Sequence, residues 1–349
     1  MTHPIDAVRT LVGQGLMLGE PRTRLGLTLV PLFGVEAKAA PHPYVLGAEA
    51  MAAGTLLIEE SGGGEVPRLV VRNTGDLPAL LVEGEHLQGA RQDRVLNVSV
   101  LVAAKHDTHI PVSCVEHGRW SYRASQRFAP APEFAHVNLR AMKVAAAARD
   151  ARATGGRRSD QGLVWDEVDR KRAEVGAGFS ATGAMGDAYR DRGRELDELL
   201  TAIGEVERGQ LGAIVCVGGL PVAADVFDRS DVLAGLWPRL SRGYAMDALG
   251  APEGEASPAD LERFLAQVRD ADATSHDGVG LGTDVVLTAD GFVATALVWK
   301  GSVVHLAMFS NAPVSGRRRP GRIASPRQRS RSWFSEERTR PPAGTEGAT

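Results

Sequence analysis

The sequence predicts an α+β fold built on antiparallel sheets, and three observations predict it. Short β-like runs separated by turn signals fill the first third of the chain. A charged, Ala-rich helical stretch occupies the middle. A three-stranded meander closes the ordered part. Short strands joined by tight turns point to a sandwich-like sheet system and not to a βαβ array.

The elements follow in order. Residues 3–14 carry apolar groups at helical spacing (Ile5, Val8, Leu11, Val12), and Pro4 suits a first turn. From Leu25 the texture becomes strand-like: LGLTLVPLFG, TLLIEE, RLVVRN, ALLVEGEHL, VLNVSVLVA and HIPVSCVE are divided by signals such as SGGGEVP and NTGDLP. From Phe134 to about Gly204 the chain reads as helix. AHVNLRAMKVAAAARDARA is the first, SDQGLVWDEVDRKRAEVG the second with Ser159 or Asp160 as cap, and ATGAMGDAYRDRGRELDELLTAIG the third. LGAIVCVGG and LPVAADVFD form a hairpin. A helix over DVLAGLWPRLSRGYAMDAL contains Pro238, and another opens at Ser257–Pro258. Asp290–Gly291 and Lys300–Gly301 mark the two turns of the meander.

This order gives one domain over 1–310, with a β-rich half (1–133), a charged helical segment (134–205) and an α/β half (206–310). Residues 311–349 form a Pro/Ser/Arg-rich tail with few apolar groups, expected to be disordered because burial cannot offset its chain entropy. Its arginines suit weak, salt-dependent contact with nucleic acid or an acidic protein, or no specific role.

The 349 residues are 43% apolar and 24% charged with a net charge of −3, the composition of a globular protein without a strong pull toward nucleic acid or anionic lipid. No run approaches the length of a membrane span, and the N-terminus does not read as a signal peptide. The two cysteines, Cys114 and Cys216, both sit in strand-like apolar runs and read as core thiols. Two lone thiols suggest a reducing, cytoplasmic setting. VGGLP and GVGLGTD lack the context of phosphate loops, the histidines lack zinc spacing, and no GxSxG elbow is present.

The stretch LVEGEHLQGARQDRVLNVSVLV, from Leu81, carries more ionisable and amide groups than a solvated strand face needs. In a regular strand Glu83 and Glu85 would share one face, with Gly84 between them allowing close approach. Asn97 and Ser99 would share a face of the next strand. PVSCVEHGRW adds Glu116, Arg119 and Trp120. Arginine grips phosphate, carboxylates accept from ribose hydroxyls or hold a divalent cation, and Trp stacks on a base, so the inventory suits a phosphate-and-sugar ligand. The plainer reading is a set of edge-strand charges that guard against aggregation, or internal struts.

At EGE-x-L-x-GA-x-Q followed by PVSCVE-x-GRW the chain resembles the bacterial and archaeal family named for association with ADP-ribosylglycohydrolase and rhodanese-phosphatase genes. GRRSDQGLVWDEV, TGAMGDAY, DVFD and GYAMDAL match as well, so the resemblance covers roughly residues 10–310. It departs at Arg91, where Lys is common in the family, and at His117, where Gln is. The resemblance implies a role in NAD-derived or ADP-ribose metabolism: an intracellular protein that binds, and as a further expectation hydrolyses, an ADP-ribose-like nucleotide. Glu83, Glu85 and Glu116 are then the candidate general acid/base groups or Mg²⁺ ligands. Gln88, Arg91, Arg94, Asn97, Ser113, Arg119, Trp120, Asp160 and Gln161 are the candidate ligand contacts. Asp160 and Gln161 open a helix whose N–H groups suit an anion. The alternative is a non-enzymatic ligand sensor or partner-docking protein in which the same residues form an internal hydrogen-bond network.

Overall fold

A computed structural model describes residues 2–35, 42–61, 67–119 and 127–310. All of them lie in one unit, Met1–Val314. Trp120 and the basic tail fall outside the described residues. In chain order the elements are α1 (Pro4–Gln14), β1 (Leu16–Leu18), β2 (Arg22–Arg24), β3 (Leu27–Gly34), β4 (Val45–Leu46), α2 (Gly47–Ala52), β5 (Leu56–Glu60) and β6 (Arg68–Asn73). Then come β7 (Ala79–Leu81), β8 (Glu85–Gly89), β9 (Arg94–Leu96), β10 (Val100–Val102), β11 (His106–Cys114) and β12 (Phe128–Phe134). The helical segment is α3 (Val137–Thr154), α4 (Gln161–Glu174), α5 (Met185–Asp191) and α6 (Gly193–Ile203). The last part is β13 (Gln210–Val217), β14 (Leu220–Phe227), α7 (Ser230–Ala248), α8 (Pro258–Asp270), β15 (Asp272–Asp277), β16 (Thr283–Ala289), β17 (Phe292–Trp299) and β18 (Ser302–Ser310).

The main sheet runs β1-β3-β13-β14-β18-β17-β16-β15, with β2 also paired to β3, and its neighbours are antiparallel. Both faces are covered. Strand alternation sends Leu27 and Leu29, and Ala213, Val215 and Val217, into a core shared with α3, α6 and α7. It sends Val30 and Leu32, and Ile214 and Cys216, into a second core with α1 and α8. A strand buried on both faces reads as a continuous apolar run, which is why AIVCV shows no alternation of polarity. The second sheet, β12-β8-β9-β11-β6-β5, packs Leu69, Val71, Leu87, Leu96, Ile110 and Val112 into a third cluster. A small β10-β7-β4 sheet, parallel only between β4 and β7, adjoins this cluster through Ala79, Leu81, Val100 and Val102.

Three local expectations are corrected. VLNVSVLVA is not one strand: Asn97, Val98 and Ser99 form a bend between β9 and β10, which belong to different sheets. The residue 181–204 helix is two, broken at Arg192 between α5 and α6. Glu83 and Gly84 are in a turn, closed by the Glu85 N–H bonding to the Val82 carbonyl at 3.1 Å, so Glu83 and Glu85 do not share a strand face. Gly84 is required there twice over. Its φ is +86°, and a Cβ would come within 2.5 Å of Arg140 Nε.

Candidate functional site

Helix α3 presents Arg140 and Lys143 on one face, three residues apart, toward the sheets. Both are fully buried. Arg140 donates from its two terminal nitrogens to Asp225 on β14, at 2.9 and 2.7 Å, and from Nε to Glu83 at 2.9 Å. Tyr244 on α7 donates to Asp225 at 2.5 Å, and His305 Nε2 lies 3.0 Å from the other Asp225 oxygen. Burial alone would raise the Asp225 pKa, but the Arg140 charge and the His305 contact hold it well below the usual carboxylate range. The Phe309 ring, 5.1 Å from the Arg140 guanidinium, covers it further. Lys143 donates to the Leu96 carbonyl and stands 3.9 Å from Glu83. Burial pulls its pKa down to about 7 despite the attraction of Glu83.

From Asp225 the chain of polar contacts continues outward. His305 Nδ1 is 2.7 Å from Ser99 Oγ, and Ser99 Oγ accepts from the Glu83 N–H at 2.9 Å. The His305 ring is stacked on Phe227, which fixes its plane. Ser99 and His305 border a small hollow with Val98, Ala147, Ala148 and Leu297, and with the Arg157–Asp284 pair, 3.1 Å apart, on its wall. The hollow has room for about one ordered water. Burial pushes Asp284 up to about 6, against the pull of Arg157.

A second charged group lies on the β8–β9–β11 sheet. Arg119 donates to both oxygens of Glu116, at 3.0 and 2.6 Å, and to Asp93 at 3.2 Å. The Asp93 N–H donates to Glu116 at 3.2 Å. His86, fully buried, contacts Glu133 through Nδ1 at 2.8 Å and faces Asp93 through Nε2 at 3.7 Å. Burial would lower its pKa, but the two carboxylates outweigh that and raise it to about 9. Glu60 ties Arg91 and Arg94 into the same region, at 3.6 and 4.0 Å. Arg94 is buried, bonds Gln92 through one terminal nitrogen, and has no acceptor on its Nε–H among the described residues.

The loop before α4 docks beside these groups. Asp160 caps α4 by accepting from the N–H groups of Gly162 and Leu163, which occupies the very donors an anion would use. Gln161 grips the Cys114 backbone with both ends of its amide, at 2.9 and 2.8 Å. Ser113 donates to Asn97 at 2.7 Å and meets Ser159, and Asn97 reaches the Arg157 carbonyl at 3.1 Å.

The candidate residues are thus divided. Arg91, Arg94, Glu116 and Arg119 come together, with Gln88 close to His86 and Glu133 around Gly186. Asn97, Ser113 and Gln161 join a neighbouring backbone lock. Glu83 goes to Arg140, and Glu85 goes to Arg239 at 2.9 Å. The three candidate carboxylates do not converge: the turn at Gly84 parts Glu83 and Glu85, which pair with Arg140 and Arg239, while Glu116 pairs with Arg119. Among the described residues no group of three His, Cys, Asp or Glu side chains is placed to hold a metal. Cys114 and Cys216 are buried free thiols, and burial raises Cys114 to about 11 and Cys216 to about 12, far from reactive.

Arg140, Asp225 and His305 escaped the sequence reading. A signal was present: each sits inside an apolar run, Asp225 and His305 alone (VAADVF, VVHLAMF) and Arg140 with only Lys143 beside it (LRAMKVAAAA), where burial demands a partner.

Among the described residues no helix is long and apolar enough to cross a membrane. Comparison with curated proteins and with solved structures yields no match. One family model does match, over residues 15–309, nearly the whole span that carries these two charged groups. The chain belongs to the ARG and Rhodanese-Phosphatase-superfamily-associated Protein domain family.

Proposed function

We propose that the protein binds, and hydrolytically processes, an ADP-ribose-type nucleotide derived from NAD, on the face where Arg91, Arg94 and Arg119 gather. The observation that carries the reading is the buried Arg94 Nε–H, which has no acceptor among the described residues, in a group of three guanidiniums. Such a donor is costly to leave unpaired and suits a phosphate oxygen. The partly exposed Arg91 offers the approach. Of the three candidate carboxylates Glu116 is the one in this group, paired with Arg119, and is assigned the acid/base work. The family's association with ADP-ribosylglycohydrolases supports the choice of nucleotide. A reducing, cytoplasmic setting belongs to the same proposal, supported by the two unpaired thiols.

A second reading is a ligand sensor without turnover. It is favoured by the saturation of Glu116, whose two oxygens accept from Arg119 and the Asp93 N–H. A carboxylate held this way acts as a fixed counter-charge and not as a proton donor.

Thermal melting of the full chain with ADP-ribose and with NAD tests both. A ligand at ~100 times its Kd adds about 2.7 kcal/mol. The expected result is stabilisation that Arg94→Gln abolishes, with product release detectable by chromatography and lost in Glu116→Gln. Stabilisation without product selects the sensor, and no shift with either nucleotide overturns the binding proposal. Contact of the tail with nucleic acid or an acidic protein is a separate proposal. Equal RNA and DNA retention after deletion of 311–349 would end its nucleic-acid arm.

A further inference from the structure

We infer that Ser99, His305 and Asp225 form a nucleophilic centre that cleaves small acyl esters in the hollow beside Ala147 and Ala148. The inference does not rest on the nucleotide reading, since it concerns a different place in the fold and a different set of residues.

The proton inventory gives the first argument. Asp225 is held ionised by Arg140, so it accepts, and the His305 nitrogen facing it at 3.0 Å carries the proton. In a neutral ring that leaves Nδ1 as the acceptor, and Ser99 Oγ, 2.7 Å away, as the donor. The Ser99 oxygen in turn accepts the Glu83 N–H, so every partner in the row has one consistent role. A doubly protonated His305 would leave Ser99 accepting two N–H groups with its own proton unplaced. The resulting order, hydroxyl to imidazole to buried carboxylate, is that of an activated serine, recognised by geometry and not by chain order.

The surroundings give the second argument. The Glu83 N–H donates to Ser99 Oγ, which holds the nucleophile in place and eases loss of its proton. Asp225 is fixed by three other donors, from Arg140 and Tyr244, so it holds the imidazole without titrating. Stacking on Phe227 locks the ring. Ser99 and His305 both border the hollow, and the other walls include Val98, Ala147, Ala148, Ala296 and Leu297. The hollow is narrow and bounded by Ala147, Ala148 and Ala296 beside the Arg157–Asp284 pair, so only a small acyl group can approach Ser99 there.

The chemistry balances within these groups. Ser99 Oγ attacks the ester carbonyl carbon as its proton passes to His305 Nδ1. The bond to the alcohol oxygen breaks, and Nδ1 returns that proton to the departing alcohol, leaving acyl-Ser99. Water then gives a proton to Nδ1 and attacks the acyl carbon. Ser99 recovers its proton, and the products are a carboxylic acid and an alcohol.

The test uses the full chain, methanesulfonyl fluoride as the smallest serine-directed reagent, and p-nitrophenyl acetate as substrate. Intact-mass and peptide-mass measurement should find one sulfonyl adduct, on Ser99. The wild-type protein should hydrolyse the acetate, and the octanoate far more slowly. Ser99→Ala and His305→Gln should lower the acetate rate by about 100- to 10,000-fold. Adduct formation should be slowed in His305→Gln but unchanged in a variant of the exposed Ser275 on β15, Ser275→Ala. An adduct elsewhere or none on the folded wild type overturns the inference, with no variant needed. So does a Ser99→Ala protein that keeps the wild-type acetate rate, or a His305→Gln protein labelled as fast as wild type.

Discussion

Arg140 holds Asp225 through two parallel N–H···O bonds, and neither side chain reaches solvent. A buried pair of this kind stabilises little relative to well-packed apolar groups, because both ions lose their hydration. Its importance lies in dependence. Asp225 also anchors Tyr244 and His305, and Arg140 also neutralises Glu83.

Arg140→Met should therefore cost about 3–5 kcal/mol, since it strands two buried carboxylates without their cation. Urea unfolding of the variant against wild type checks this. A loss below about 1 kcal/mol would mean that water or Lys143 takes over the charge. The lowered Asp225 pKa adds a pH signature. Its stabilisation is present above the unfolded value of 3.8 and is lost as pH falls below it toward the folded value.

Lys143 should titrate near neutrality. Its folded pKa is pulled down from 10.5 to about 7, so between those values the unfolded chain binds the extra proton. Stability should rise with pH across that window by virtue of this group. Comparing wild type with Lys143→Met isolates it: the variant's advantage should shrink from pH 7 to pH 10. A stability difference that is flat with pH would sink the assignment.

His86 has the opposite sign. Its pKa is raised from 6.5 to about 9, because the contacts to Asp93 and Glu133 outweigh burial. The 2.8 Å contact to Glu133 is a hydrogen bond, whereas the 3.7 Å separation from Asp93 is an ion-pair distance, so Glu133 is the closer partner. The stabilisation is complete below 6.5 and disappears as pH rises through about 9. His86→Gln should cost about 1.5–3 kcal/mol at pH 6 and much less at pH 9.5. Histidine ring NMR would show directly whether the folded pKa lies above 8.

Gln161 extends the β11 edge by imitating a strand partner at Cys114. Gln161→Ala should cost about 1–3 kcal/mol for two hydrogen bonds lost from partly buried backbone. Amide exchange at Cys114 should accelerate, while exchange in α8 should not.

The meander was legible because its turns are local. Gly291 and Gly301 take φ of +67° and +82°, and only a glycine does this without strain. The same holds for the Pro258 helix start and the Asp160 cap, each decided within a few residues. Glu116 and Arg119 were legible as a pair for the same reason, being three residues apart. The Arg140 group was not. Its members meet across sequence separations of 57, 85 and 80 residues, and nothing local announces which apolar run will face which. The split of VLNVSVLVA had a similar cause: its β pattern is sound, but the two halves pair with strands of different sheets.

The main sheet has a consequence for biosynthesis. Residues 27–34 emerge from the ribosome early, yet they lie against residues 210–217, and that hairpin leans on residues 302–310. An apolar ribbon made at the start must wait for almost the whole chain before it can be sheathed on both sides. Long-range pairing of this kind folds slowly, so the first strands stay uncovered through most of synthesis.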